Sequence, residues 1–268
     1  MPRLLIIGAH PDDAEFGAGG LIAQYAAAGH PVQAIAVTNG EAGHYAVSPA
    51  ELARLRAEEA RAAAVVGGFE VEVWNNPDAQ LAPTLEIRGE VIRAIRRFAP
   101  DLVLTHRAND YHPDHRATGQ LVQDASYLVR VRNLHRDIPP PARRPVVACM
   151  ADFFTKPNPF QPDVTVDITD QIDAVVSMLA CHVSQVFENM PESYGALETV
   201  PRDEEGRLAW LKEFYAPRPR AIANRFREAL VRDYGERGND IQYAEAFEIS
   251  EYGHRPTNEE RDALFLKA

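Results

Sequence analysis

The chain has 268 residues, 46% apolar and 25% charged, and 28 Lys and Arg against 39 Asp and Glu give a formal charge of −11. This is an ordinary globular composition, long enough to bury a large core. The acidic balance argues against nucleic acid or an anionic membrane surface as main partner, though it leaves room for a local basic pocket.

No apolar run approaches the ~20 residues of a membrane span. Cys149 and Cys181 stand outside any CxxC pair. That argues against a disulfide framework and fits a reducing compartment. The first residues run straight into strand sequence, with an apolar stretch too short for a secretory signal. A cytoplasmic location is therefore expected.

Apolar runs of strand length occur at Leu4–Gly8, Val32–Thr38, 71–74, Leu102–Thr105, Val146–Met150 and 164–168. Helical patterns at 16–28, 49–66, 84–98 and 115–131 separate them. Ser48 with Glu51 has the spacing of a capping box before the second helix. Such alternation predicts an α/β fold of Rossmann-like type, a mostly parallel sheet with helices on both faces. Further on, 136–144 and 155–163 read as proline-rich loops and 170–183 as a helix. The stretch 208–234 reads as helix in two pieces broken by Pro217 and Pro219, and 243–249 as a last strand. With no repeat or linker, residues 1–268 are expected to form one domain.

His10-Pro11-Asp12-Asp13 follows the first strand, and His112-Pro113-Asp114-His115 follows the strand at Leu102–Thr105. In a parallel sheet both segments then stand at the carboxyl edge, where ligands bind. Two imidazoles and a carboxylate suit a divalent metal with a position open to water. His10 and Asp13 can face one point, and His115 is the best third ligand. His112, three residues from His115, shares its face and can touch a substrate oxygen. Asp12 is a spare carboxylate, suited to accept a proton from the attacking water. Its bland alternative is capping the helix that starts near Ala14.

Other residues carry less. His44 sits in a loop that is either a flap or plain surface, and His106 is either core or a support of the site. His182 and Gln185 either close the pocket floor or cap a helix, while Trp74 and Trp210 are expected in the core.

Taken together, Ala9–Asp13, His112–His115 and His182-Val183-Ser184-Gln185 resemble the PIG-L/LmbE-like N-deacetylases, and the match runs in order through nearly the whole chain. Smaller matches are 38–43, Arg56 with Glu58 and Glu59, Asn109-Asp110 and 243–247. The resemblance implies Zn2+, with Fe2+ or another divalent ion as alternative, on His10, Asp13 and His115. It implies Asp12 as general base, His112 as oxyanion stabiliser, and Asp114 as the partner that orients His112. It implies Arg56, Asn109 and Asp110 as substrate contacts; the bland alternative for Arg56 is an exposed ion pair with Glu59 along its helix. The substrate would be an N-acetylglucosaminyl compound, or the amide of a mycothiol-like conjugate. A homo-oligomer, hexameric or smaller, is also implied, with 242–249 as interface material. Two departures are Ala14 where many members have glutamate, and Asp173 where many have lysine.

Three other functions fit less well. A non-haem Fe(II) oxygenase gives Asp12 no task and usually stands on an antiparallel barrel. A nucleotide-binding module needs a glycine-rich first turn, and two carboxylates there repel phosphate. A metal-binding scaffold without activity would not need the full set of catalytic groups. The loops 39–43, 75–78 and 107–110 offer polar groups and few aromatic anchors. A small hydroxylated sugar is expected, in preference to a lipid-linked one.

Overall fold

The structure is a computed structural model and describes residues 1–267. Its strands are β1 (Leu4–Gly8), β2 (Val32–Thr38), β3 (Glu70–Asn76), β4 (Leu102–Thr105), β5 (Val146–Met150), β6 (Val164–Asp167) and β7 (Ala244–Ile249). They form one seven-stranded sheet in the order β3-β2-β1-β4-β5-β7-β6. The first five strands run parallel, and β7 is antiparallel to both β5 and β6. The expected α/β architecture is present.

The apolar run of β1 divides by alternation. Leu4 and Ile6 join one core, Leu5 and Ile7 the other. A strand covered on both faces has to be apolar at every position, which is why the run shows no polar interruption. Helices α1 (Asp13–Ala27), α2 (Pro49–Gly67), α3 (Leu85–Phe98) and α4 (Pro113–Leu128) connect the parallel strands. Val91, Ile95, Leu121 and Ala125 of α3 and α4 cover one face. Leu21 and Tyr25 of α1 cover the other, with Val175 and Leu179 of α5 (Ile172–Leu179).

The later helices are α6 (Met190–Ser193), α7 (Glu204–Tyr215), α8 (Pro217–Arg225), α9 (Arg227–Tyr234) and α10 (Asn258–Leu264). The stretch expected as two helical pieces is three helices. Pro217 begins α8, a position where a missing N–H costs nothing. A π-helical segment, Ser184–Asn189, and α10 lie outside the sequence expectation. Ser48 is the N-cap of α2, but its side chain accepts no capping bond, so the expected capping box is absent.

Strand β7 also departs from expectation. It is an interior strand whose first four residues are buried, so of the expected interface material 242–249 the stretch 244–247 is not exposed. Glu245 accepts the Gly20 and Leu21 N–H groups, at 2.6 and 3.0 Å, and serves its own chain.

From β1 the chain moves outward through β2 to β3, then returns to place β4 on the other side of β1. The crevice between β1 and β4 is thus the point where strand order reverses, the usual ligand position in such sheets. Both His-Pro-Asp segments leave from its two sides.

Candidate active site

Asp12 is the residue before α1, with φ 114° and ψ −22°. That backbone conformation is unfavourable for a residue with a Cβ, and such strain is kept mostly at functional sites. Its side chain makes no helix cap. Oδ2 instead accepts from Arg56 Nη2 at 2.8 Å, and the same nitrogen donates to the Pro11 carbonyl. Both side chains are buried. Burial pushes the Asp12 carboxyl up to about 6, against the pull of Arg56. The expected alternative of an Arg56–Glu59 pair does not occur. Glu59 accepts from the Ser184 N–H and hydroxyl at 2.7 and 2.6 Å.

Asp13 turns back over the end of β1. Its Oδ2 accepts the Ala9 and His10 N–H groups at 2.8 Å each, and His106 Nε2 lies 3.0 Å away. Its Oδ1 lies 3.4 Å from His115 Nε2. His115 Nε2 is 3.3 Å from His10 Nδ1, which is 3.6 Å from Asp13 Oδ2. Burial opposes charge on Asp13, but His115 and His106 outweigh it and hold its carboxyl well below the usual range.

These spacings answer whether a metal would fit. Ligands about 2.0–2.1 Å from a tetrahedral ion lie about 3.3–3.5 Å apart. The outward nitrogens of both histidines face carboxylates, the arrangement that orients metal-binding imidazoles. His115 Nδ1 is 3.1 Å from Asp110 Oδ1. His10 Nε2 is 3.1 Å from Asp78 Oδ1 and 3.4 Å from Asp114 Oδ2, at ion-pair distance though off hydrogen-bond angle. Several His and Asp groups here can hold an ion, among them His10 with His112 and His115.

His112 is the N-cap of α4, and its Nδ1 accepts the Asp114 N–H at 3.2 Å. The ring proton therefore sits on Nε2. Burial, with His10 and His115 nearby, lowers its pKa.

The structure revises the expected roles of Asp114 and Asn109. The Asp114 carboxylate does not orient the His112 ring, which takes only the Asp114 backbone N–H. It is fully buried, accepts the Ala79 and Leu81 N–H groups at 2.7 and 3.1 Å, and faces His10. Asp110 does line the cleft, and its Oδ1 also meets His115 Nδ1 and the His112 N–H, at 3.1 and 3.0 Å. Asn109 does not line the cleft, although its Nδ2 is buried without a partner. His106, left between core and support of the site, stands as a support beside Asp13, and Asp78, expected only as part of the loop 75–78, faces His10. Asp78 stands beyond β3 at the carboxyl edge, which was the signal that could have found it.

Around this group lies a cleft of about 770 Å³. Gln185 lines it and donates to the Gly43 carbonyl at 2.6 Å, pinning the loop after β2. His44 in that loop has a buried side chain 3.0 Å from Glu188, so it is neither free surface nor a loose flap. His182 does not line the cleft; it lies 3.0 Å from buried Glu15. Contrary to the expected shortage of aromatic anchors, Tyr111, Phe153, Phe154, Tyr194 and Phe214 line the cleft.

Comparison with known proteins finds relatives along most of the chain. Residues 5–126 match the family described as PIG-L, GlcNAc-PI de-N-acetylase. Diacetylchitobiose deacetylase of Thermococcus kodakarensis is 31% identical over 198 residues, covering 71% of this chain and 72% of that protein. The chain belongs to the PIG-L family. It is accordingly an enzyme of the deacetylase class, built on the family's α/β fold. A second relative, 4-oxalmesaconate hydratase of Pseudomonas putida, is 28% identical over 202 residues, covering 71% and 76%. The N,N'-diacetylchitobiose deacetylase structure from Pyrococcus horikoshii superposes with a TM-score of 0.72, covering 96% of this chain and 88% of that one, at 24% identity. No described helix is long and apolar enough to cross a membrane.

Proposed function

We propose that this chain hydrolyses the N-acetyl amide of an N-acetylglucosaminyl compound, giving acetate and the free amine. The observation that carries it is the convergence of His10 Nδ1 and His115 Nε2, 3.3 Å apart, on the Asp13 carboxylate, whose Oδ2 lies 3.6 Å from the first and Oδ1 3.4 Å from the second, beside a strained, buried Asp12. A divalent cation held by those three, taken as Zn2+ with Fe2+ as alternative, would acidify a water and polarise the amide carbonyl.

Asp12 Oδ2 is held by Arg56, while Oδ1 has no protein hydrogen bond among the described residues. In this reading Oδ1 takes the water proton as the oxygen bonds to the carbonyl carbon. His112 Nε2–H donates to the oxyanion. As the C–N bond breaks, the proton on Asp12 passes to the leaving nitrogen, with His112 assisting. Arg56 Nε is buried without a partner, which supports a contact to substrate from the same side chain.

The test is acetate release from N-acetylglucosaminides with different anomeric substituents, with and without added zinc, beside acetyl-lysine peptides. Comparable kcat/KM on the peptides would refute the sugar assignment. The hydratase relative supports a second reading, in which the same proton acceptor serves addition of water to a conjugated double bond. Loss of a dienoate chromophore without acetate release from any amide would favour it.

A further inference from the structure

We propose that the aromatic wall of the cleft binds the substituent at the anomeric carbon, that this substituent is flat or apolar, and that it carries a carboxylate or phosphate read by Arg218. Only the sugar end of this proposal rests on the deacetylase reading.

The cleft, at about 770 Å³, is of the size that holds a drug-sized ligand and exceeds what one amino sugar needs. The surplus is aromatic. Tyr111 and Phe154 pair at 6.2 Å, and Tyr194 and Phe214 at 6.1 Å. Tyr111 and Tyr194 are 69% and 76% exposed, so they are not core residues. Exposed aromatics gathered at one cleft mouth mark a binding surface.

The wall is built to hold its place. Buried Arg107 bonds both Asp152 oxygens at 3.3 and 3.2 Å and the Asn158 carbonyl at 2.7 Å. Asp152 Oδ1 in turn accepts the Phe154 N–H at 2.8 Å. One guanidinium thus fixes the loop that carries Phe153 and Phe154.

Charge decides the rest. Of the arginines lining the cleft, Arg56 is paired with Asp12. Arg218 has no carboxylate at ion-pair distance among the described residues, and its one hydrogen bond goes to the Ala151 carbonyl at 3.1 Å. Most of its five N–H donors remain for a ligand. It lies 5.9 Å over the Phe153 ring, and Arg225 lies 5.5 Å from the same ring. In a chain of net charge −11, two cations at an aromatic rim are a local attraction for an anion. Apart from Tyr111 and Arg107, these wall residues lie beyond the part matched by the family, residues 5–126, where this chain's own selectivity can reside.

The test is calorimetric binding of phenyl, 4-carboxyphenyl and 4-phosphophenyl glucosaminides, in both anomeric forms, to the wild-type chain, Arg218→Gln and Phe154→Ala. An anionic ligand should bind about tenfold tighter than the phenyl one, as one charge-assisted hydrogen bond provides. The tighter of the two anionic arms names the anion. Arg218→Gln should bring that ratio to about one, while Phe154→Ala should weaken all three ligands and keep the ratio. Equal wild-type affinity for all three, or a ratio unchanged in Arg218→Gln, overturns the proposal. Acetate release from the N-acetylated forms is read separately. Preferential binding without release would fell the deacetylase reading alone, and release without preference would fell the subsite alone.

Discussion

At the scale of single residues, Asp12 concentrates the argument, because strain, burial and an unsatisfied oxygen meet there. Asp12→Asn keeps the side-chain volume and a bond to Arg56 while removing the proton acceptor. We expect kcat to fall at least ~10²-fold with bound metal unchanged, the range positioned acid–base groups contribute. His10→Ala, Asp13→Ala and His115→Ala should instead lower metal content, measured by elemental analysis. Full occupancy in all three would remove them as ligands. His112→Ala should depress kcat more than it raises KM, since an oxyanion contact acts in the transition state. The two His-Pro-Asp segments were legible because each packs its chemistry into four consecutive residues. The partners of Asp110 and Asp114 were not. Which histidine each carboxylate faces is set by how the loop after β3, through Ala79 and Leu81, approaches α4. No local pattern records that approach.

At the scale of elements, the alternation of strands and helices was legible because burial on both faces writes continuous apolar runs. Breaks in helical regularity were not. Helix α1 leaves helical geometry at Ala18. Just beyond the break the N–H groups of Gly20 and Leu21 donate to Glu245 of β7, across more than two hundred residues of sequence. Neither the kink nor this contact is a local feature, and the π-helical turn at Ser184–Asn189 likewise depends on tertiary contacts from Glu59 and Gly43. Burial raises the Glu245 carboxyl from 4.5 to about 8, against these two N–H bonds, which favour the charged form. A folded value above the unfolded one stabilises fully below about pH 4.5, and that contribution is lost as pH rises to about 8. Glu245→Gln removes the titration. Its stability relative to the parent should therefore improve across that window, by up to about 1.4 kcal/mol per pH unit in denaturant melts. A pH-independent difference would show that Glu245 stays ionised. Gly8 has a different burden. A Cβ there would meet Asp13 Cβ at 2.7 Å, so Gly8→Ala should displace the Asp13 carboxylate and lower metal content without touching a ligand directly.

At the scale of the whole molecule, the strand-order reversal brings residues about a hundred positions apart into one cluster. His10 and Asp13 hang from β1, and His115 stands on the helix after β4. We propose that the 268 residues unfold as one domain, since the two cores share the same central strands. A cation shared between the β1 and β4 sides then binds the folded chain and has no equivalent site in the unfolded one. It should stabilise by mass action, by about 4 kcal/mol at a thousandfold excess over its Kd. For a chain of this size that corresponds to roughly 8–16 °C in Tm. Stripping divalent metal with a chelator should therefore lower a single thermal transition by about that amount. Adding Zn2+ back should restore it. In His115→Ala the same treatment should leave Tm nearly unchanged, because the bridge between the two strands is already cut. Two resolved transitions would argue for separate domains. A wild-type Tm indifferent to chelation, with metal shown to be removed, would mean that the cluster holds its spacing through the Asp78, Asp110 and Asp114 carboxylates alone.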